Sequence, residues 1–251
     1  MKKINYSDRS SFYDFEVSKD EKIISFLKEL ANKLNIKRII NCPCASGVYL
    51  EEFSNYYKNS LFIDIDDKMI DRVNKKIIKY NYKNVKTLKL DIKKLYELGD
   101  NIDCIIMLNQ GLQYIKMIEF KKLLKKLNIN YLILDLFDFT KEGKLTYFDS
   151  NKYDEYYLSR EFNINNKIFK RYNRYIIKDG EVHFKYDYYV NDFKYYETEF
   201  ELYNYSVESI NDVIKESNYE LINVYGDYEF KTYSNVKGHY ILILRRCGCE
   251  I

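Results

Sequence analysis

Two carboxylates and one small-residue turn carry the chemistry that this sequence can do. The turn lies in RIINCPCASGVYL, where a β-branched run (Ile39, Ile40) stops at Asn41 and Pro43, Cys44, Ala45, Ser46 and Gly47 follow. Small side chains let a ligand approach the backbone, Gly47 tolerates positive φ, and the amides of a following helix point at the ligand. About 20 residues on, Asp64 nears the end of a second apolar run, where a carboxylate accepts hydrogen bonds from both hydroxyls of a nucleoside ribose. Asp64, Asp66 and Asp67 also suit a helix N-terminus. Met69, five residues past Asp64, is placed to cover an adenine face and favours the ribose reading. Asp91 and Asn109 close two further apolar runs.

Such residues need a sheet to hold them at one edge. Ser18 with Glu21 reads as a capping box, and apolar residues from Ile23 to Leu34 mark one face of the helix that follows. Residues 61–65 read as a buried strand, with Asp66 as N-cap of a helix from Asp67 to about Tyr80. Strands over 85–92 and 102–115, a helix MIEFKKLLKKLN and a strand over 129–139 complete a βαβαβαβαβ order. The strands are too continuously apolar to be half exposed, so the expected fold is α/β, a Rossmann-like parallel sheet covered on both faces. Asp64, Asp91 and Asn109 then fall at carboxyl ends of strands, where such sheets bind ligands.

From Thr140 the pattern changes to alternating, Tyr-rich runs, split by turn signals at 163–166, Asp179-Gly180 and Asn191-Asp192. This predicts an antiparallel β meander over 140–205, inserted into a core formed by 1–139 and 206–251 and overhanging its ligand crevice. A helix starting at Ser206 and two strands end the chain. Residues 6–17, with Tyr6, Phe12, Tyr13 and Phe15, read as a packed tail or a lid.

Composition removes several classes. No apolar run approaches the ~18–20 residues of a membrane span. Lysines at the start lack the apolar stretch of a secretory signal. Five cysteines without regular spacing suit reduced thiols in a cytoplasm, and Cys247 and Cys249 lack a nearby His for a metal site. The 41 basic and 38 acidic residues nearly balance, and Lys121, Lys122, Lys125 and Lys126 alternate with leucines as the wet face of a helix. That is no nucleic-acid patch.

The motifs together resemble class I S-adenosylmethionine-dependent methyltransferases, in the branch acting on small molecules such as glycine or nucleotide-linked amino sugars. NCPCASGVYL is similar to their small-residue loop, IDIDDKMI to their ribose-binding segment, LDI to the acid beside the adenine, and IDCIIMLNQGLQYI to the strand opening onto the methionine. The resemblance implies S-adenosyl-L-methionine as cofactor, held by Asn41, Cys44, Ala45, Gly47, Asp64, Ile65, Met69, Asp91, Ile92, Leu108 and Asn109. It implies in-line methyl transfer to a small-molecule acceptor, first of all an amine, without nucleic acid or membrane and with a homodimer left open. Asn41 stands where the family has an acid, and Ala45-Ser46 where it has Gly-Thr; Ala45 is expected at negative φ, because a Cβ at positive φ is strained.

Catalytic candidates are Tyr114, after the fourth strand, His183 on the meander and Tyr13 in the lid, with His239 behind them. Arg160, Arg171 and Arg174 are candidates to hold an acceptor phosphate or carboxylate through bidentate bonds, or else to pair with nearby acids. A dinucleotide-dependent oxidoreductase is disfavoured because Gly47 stands without the other glycines of G-x-G-x-x-G. A catalytically silent nucleoside-binding or partner-binding domain, or an O-methyltransferase on a small metabolite, is the alternative.

Overall fold

Alternate residues of the apolar runs go to opposite faces of one sheet. Ile39 clusters with Phe62, Cys104 and Ile133, whereas its neighbour Ile40 clusters with Ile63, Ile105 and Leu132. The computed structural model describes residues 9–10, 12–99, 101–141, 144–145, 154–178, 181–233 and 238–249. Tyr6 and the Asp179-Gly180 turn lie outside the described residues.

The first half runs α1 (Tyr13–Glu16), α2 (Glu21–Lys33), β1 (Arg38–Asn41), α3 (Leu50–Tyr56), β2 (Asn59–Asp64), α4 (Asp67–Tyr80) and β3 (Val85–Lys89). It continues through β4 (Cys104–Met107), α5 (Met117–Lys126) and β5 (Tyr131–Phe137). A two-strand ribbon, β6 (Thr140–Lys141) and β7 (Lys144–Leu145), precedes β8 (Tyr157–Ile164), β9 (Lys167–Lys178), β10 (Glu181–Val190) and β11 (Phe193–Tyr203). The chain closes with α6 (Val207–Lys215), β12 (Tyr219–Tyr225) and β13 (His239–Arg246).

The main sheet has seven strands in the order β12-β13-β5-β4-β1-β2-β3. β1 to β5 are mutually parallel where they pair, and β13 runs antiparallel between β5 and β12. Helices α2, α3 and α4 bury their apolar sides on one face, and α5 and α6 on the other. The order reverses between β1 and β4, so the carboxyl ends of β1, β2 and β4 open a crevice at that switch point. Strands β8 to β11 form a separate antiparallel sheet in the order β11-β10-β9-β8. Its inner face is apolar at one end, where Tyr175, Val182, Phe184 and Leu202 meet Phe137 and Phe139 from the end of β5.

Two of the three expected helix starts have the caps that their sequences offer. Asp66 caps α4 by accepting from the Met69 amide, and Ser206 caps α6 by accepting from the Ser209 amide. The cap of α2 is Asp20, which accepts from the Lys22 amide, and not a Ser18–Glu21 box. The third strand stops at Lys89, and Asp91 instead caps a 3-10 turn, Ile92–Glu97, through the Lys93 amide. The run 102–115 likewise holds a short strand and a second 3-10 turn, Gly111–Tyr114.

Candidate functional site

A cavity of about 410 Å³ lies between the carboxyl edge of the parallel sheet, the edge strand β11 and the side chain of Tyr13. That volume falls in the range of small-molecule sites, about 300–1,000 Å³. Its floor is the loop after β1. The Cys44 amide donates to the Ile63 carbonyl, the Gly47 amide donates to the Cys44 carbonyl, and the loop thereby folds back over the tip of β2.

Asp64 sits at that tip and is 6 % exposed. Its Oδ2 accepts from the Ala45 amide at 2.8 Å and its Oδ1 from the Asp66 amide at 3.0 Å. Burial raises the Asp64 pKa, and these amide bonds only partly offset it. A buried carboxylate with acceptor capacity left over fits a diol, which would donate to it. Asp91 lines the same cavity, with the Lys93 ammonium 3.6 Å from its carboxylate and 3.4 Å from that of Glu119.

Ala45 has φ +46°, contrary to the expectation of a negative value. The reason is long-range: only this turn of the backbone aims its amide at Asp64, 19 residues away. Asn109 (φ +51°) and Gln110 (φ +60°) are also left-handed, so three non-glycine residues of that kind sit in the loops at one crevice. Strained backbone of this sort concentrates at ligand sites. At the second loop Asp135 holds the strain, its Oδ2 accepting from the Asn109 amide at 2.7 Å.

Of the residues expected to hold a cofactor, Asn41, Cys44, Ala45, Asp64, Ile65, Asp91, Ile92, Leu108 and Asn109 line this one cavity. Gly47 and Met69 do not. Gly47 serves the loop from behind: its φ is +71°, and a Cβ there would approach Val73 of α4 to 3.1 Å. Met69 is fully buried beneath the start of α4, because its face of the helix turns into the core. The apolar cover beside Asp64 is instead Ile65, a cavity residue that is 61 % exposed.

Tyr13 and Tyr114 both reach the cavity. Tyr114 is 41 % exposed, but that surface faces a hollow walled by protein, and desolvation raises its pKa, as it does that of Tyr13. Both phenols therefore stay protonated at neutral pH and cannot serve as phenolate bases. The Tyr114 ring lies 6.1 Å from that of Phe200 on β11.

The remaining candidates lie elsewhere. His183 is on the outer face of the meander, its Nδ1 3.2 Å from Glu201, because its register on β10 points it away from the main sheet. His239 stacks on Phe137 and meets Asp135 through Nε2 at 2.8 Å, behind the Asn109 loop. Arg171 is buried against Glu16, Arg174 pairs with Asp154 at 2.7 Å, and Arg160 is exposed on β8. None of the three arginines lines the cavity.

Sequence reasoning passed over Gly111, Lys93, Glu199 and Phe200, all of which do. Gly111 had a signal, a glycine just after a strand. A Cβ there would stand 2.3 Å from Pro43 Cδ, so the two loops can close on each other only with glycine at this position. Glu199 and Phe200 had none, since they arrive from a sheet that pairs only with itself.

Residues 39–129 match the family described as methyltransferase domain. No curated protein matches the chain in sequence. Among solved structures, an S-adenosylmethionine-dependent methyltransferase from Clostridium acetobutylicum ATCC 824 superposes with a TM-score of 0.77 at 17% identity, covering 97% of this chain and 99% of that one. CalS10 from Micromonospora echinaspora, an amino pentose methyltransferase with S-adenosylmethionine bound, gives 0.67 at 12%, over 98% and 99%. The sugar N-methyltransferase KedS8 from Streptoalloteichus sp ATCC 53650 gives 0.68 at 9%, over 98% and 94%. Identities this low speak for the fold. The domain match and the fold together support an enzyme that transfers methyl groups and takes S-adenosyl-L-methionine as its cofactor.

Proposed function

With S-adenosylmethionine-dependent methyl transfer as the starting point, we propose that the acceptor is a small molecule methylated at an amine nitrogen. One observation carries this reading. The charged residues lining the cavity are three acids, Asp64, Asp91 and Glu199, and one base, Lys93. Lys93 is held between Asp91 and Glu119, and Glu199 is paired on the meander with Lys185 at 3.5 Å. No arginine lines it among the described residues. A phosphorylated or carboxylated acceptor would meet net repulsion there, and a cationic amine would be drawn in. The likeness in fold to an amino pentose methyltransferase and a sugar N-methyltransferase agrees with this choice.

The residues present fit the cofactor. Asp64 would accept from its ribose hydroxyls, Ile65 and Ile92 would offer apolar cover, and Asp91 would accept from the amino group of the base. When bound, S-adenosyl-L-methionine supplies a methyl group already activated on a sulfonium, so the protein need only position the acceptor and keep water out. Holding two reactants in line is worth on the order of 7–11 kcal/mol. Tyr13, Tyr114 and Phe200 form the aromatic side of the cavity and do the excluding. An ammonium has no lone pair, so the acceptor must first lose its proton to solvent. The neutral phenol oxygens of Tyr13 and Tyr114 can then accept from an N–H of the neutral amine and orient its lone pair.

The test is transfer of labelled methyl from S-adenosyl-L-methionine into paired small molecules that differ only in bearing an amine or a hydroxyl. Label in the amines supports the reading. Label in the hydroxyl partners alone replaces it with O-methylation, and label in neither overturns it.

A further inference from the structure

The four-residue helix α1 touches three parts of the molecule with three side chains. Tyr13 enters the cavity wall. Asp14 faces the loop after β1: its Oδ1 accepts from Ser46 Oγ at 2.5 Å and from Lys76 Nζ at 2.9 Å, and its Oδ2 accepts from Arg72 Nη2 at 3.0 Å. Lys76 also donates to the Ser46 carbonyl at 2.8 Å, so the two charges grip this residue through its side chain and its backbone. Glu16 turns the other way, to the meander, where it accepts from Arg9, Arg171 and Tyr188.

We propose that Asp14 is a positioning residue for cofactor binding: it locks Ser46, and with it the strained Ala45 amide that clasps Asp64, while seating the adjacent Tyr13 over the same cavity. Several features support this. Ala45 at φ +46° does not hold itself: the loop's backbone amides donate from Cys44 to Ile63 of β2, from Gly47 to Cys44 across Ser46, and from Leu50 to Gly47, while the Ala45 amide goes to Asp64. Arg72 and Lys76 stand one turn apart on α4, whose N-terminus begins just after Asp64. The Asp14 cluster therefore ties together the loop, the helix and the lid that surround one nucleoside-sized hollow. Burial of Asp14 works against its charge, but the bonds from Ser46, Lys76 and Arg72 outweigh it and keep the carboxylate ionised. The group is only 27 % exposed, so water does not fully screen it.

The inference rests on the cofactor assignment, and calorimetry with S-adenosyl-L-homocysteine separates the two. Wild type is expected to bind; a wild type that does not bind overturns the assignment and the proposal together. Given binding, Asp14→Asn is expected to weaken it about tenfold, and a Lys76→Met/Asp14→Asn double variant to weaken it little further, because contacting residues in one network do not add. In turnover, the KM for S-adenosyl-L-methionine should rise by more than kcat falls. Unchanged ligand affinity in Asp14→Asn, with only a lower melting temperature, would reduce Asp14 to a fold contact and overturn the proposal. So would full additivity with Lys76→Met. Should Asp14→Asn fail to fold, Ser46→Ala removes one bond of the same cluster and is expected to weaken binding severalfold; no change there is equally fatal.

Discussion

The backbone amide of Ala45 donates a 2.8 Å hydrogen bond to Oδ2 of Asp64, joining the loop after β1 to the tip of β2. This bond explains why a residue with a Cβ sits at φ +46°. Charge-assisted bonds of this type contribute about 1.5–3 kcal/mol, enough to offset the roughly 1–2 kcal/mol by which the left-handed region disfavours an L-residue. The loop is thus shaped by a carboxylate that also lines the cavity.

Asp64→Asn keeps one acceptor oxygen and turns a donor toward one of the two amides. The protein should lose little stability, because the buried charge is removed along with the bond. Ligand affinity should drop about 10- to 100-fold, the equivalent of about 1.5–3 kcal/mol in bonds to a charged group. Calorimetric titration with S-adenosyl-L-homocysteine beside a denaturant melt separates the two effects. A large stability loss with unchanged affinity would place Asp64 in the fold alone.

The acids around the cavity make opposite predictions for pH. Asp64 has a raised pKa in the folded chain, so its contribution to stability is fully present below the ordinary value of 3.8 and is lost as pH rises through the folded value. Asp14 and Glu16 are lowered, so theirs is present above their ordinary values and is lost as pH falls through the folded ones. Denaturant melts across about pH 3 to 6 should show Asp64→Asn losing the first trend and keeping the second. Ribose hydroxyls donate to the ionised form, so wild-type affinity for S-adenosyl-L-homocysteine should fall about tenfold per pH unit below the folded Asp64 value.

What could be read from the sequence was whatever a residue's neighbours decide. Asp66 and Ser206 cap their helices because a cap needs only the next few amides, and β1, β4 and β5 follow from apolar runs. In contrast β3, VKTLK, is a mostly exposed edge strand despite the expectation of fully covered strands. Asp64 and Asp91 could be placed because strand ends converge in any doubly wound sheet. Ala45 could not, since its φ is set by a carboxylate in another strand. Met69 lies elsewhere than expected because the phase of α4 relative to the core turns it inward, whereas Ile65, ahead of that helix, stays exposed at the cavity. Arg171 read as a ligand for anions because its partner, Glu16, lies 155 residues earlier.

Gly111→Ala places a Cβ about one bond length too close to the Pro43 ring, at 2.3 Å. Overpacking at a tight contact costs about 1–3 kcal/mol. Because the clash is with a single partner, Pro43→Ala should recover part of it, and the double variant should be more stable than the sum of the singles implies. Strict additivity in thermal melts would show that Gly111 serves the turn itself and not the approach of the two loops.

Glu16 and Arg171 supply the sharpest contrast between a structural and a ligand-binding arginine. The Glu16 side chain is fully buried and accepts two bonds from Arg9, one from Arg171 and one from Tyr188, while the Arg171 guanidinium also lies 4.5 Å over the ring of Tyr186. Glu16 is thus the hub, and Arg171 one of its spokes. Glu16→Gln removes the carboxylate to which both buried guanidinium groups donate, and breaking a buried pair this way costs about 3–5 kcal/mol. Arg171→Met leaves Glu16 still neutralised by Arg9, fills most of the same volume, and should cost only about 1–3 kcal/mol. Denaturant unfolding of the two variants should therefore rank Glu16→Gln as the more damaging. An Arg171 kept for an acidic acceptor would behave differently: its replacement would leave the midpoint where it was, since an arginine held for a ligand contributes nothing to the folded chain without one.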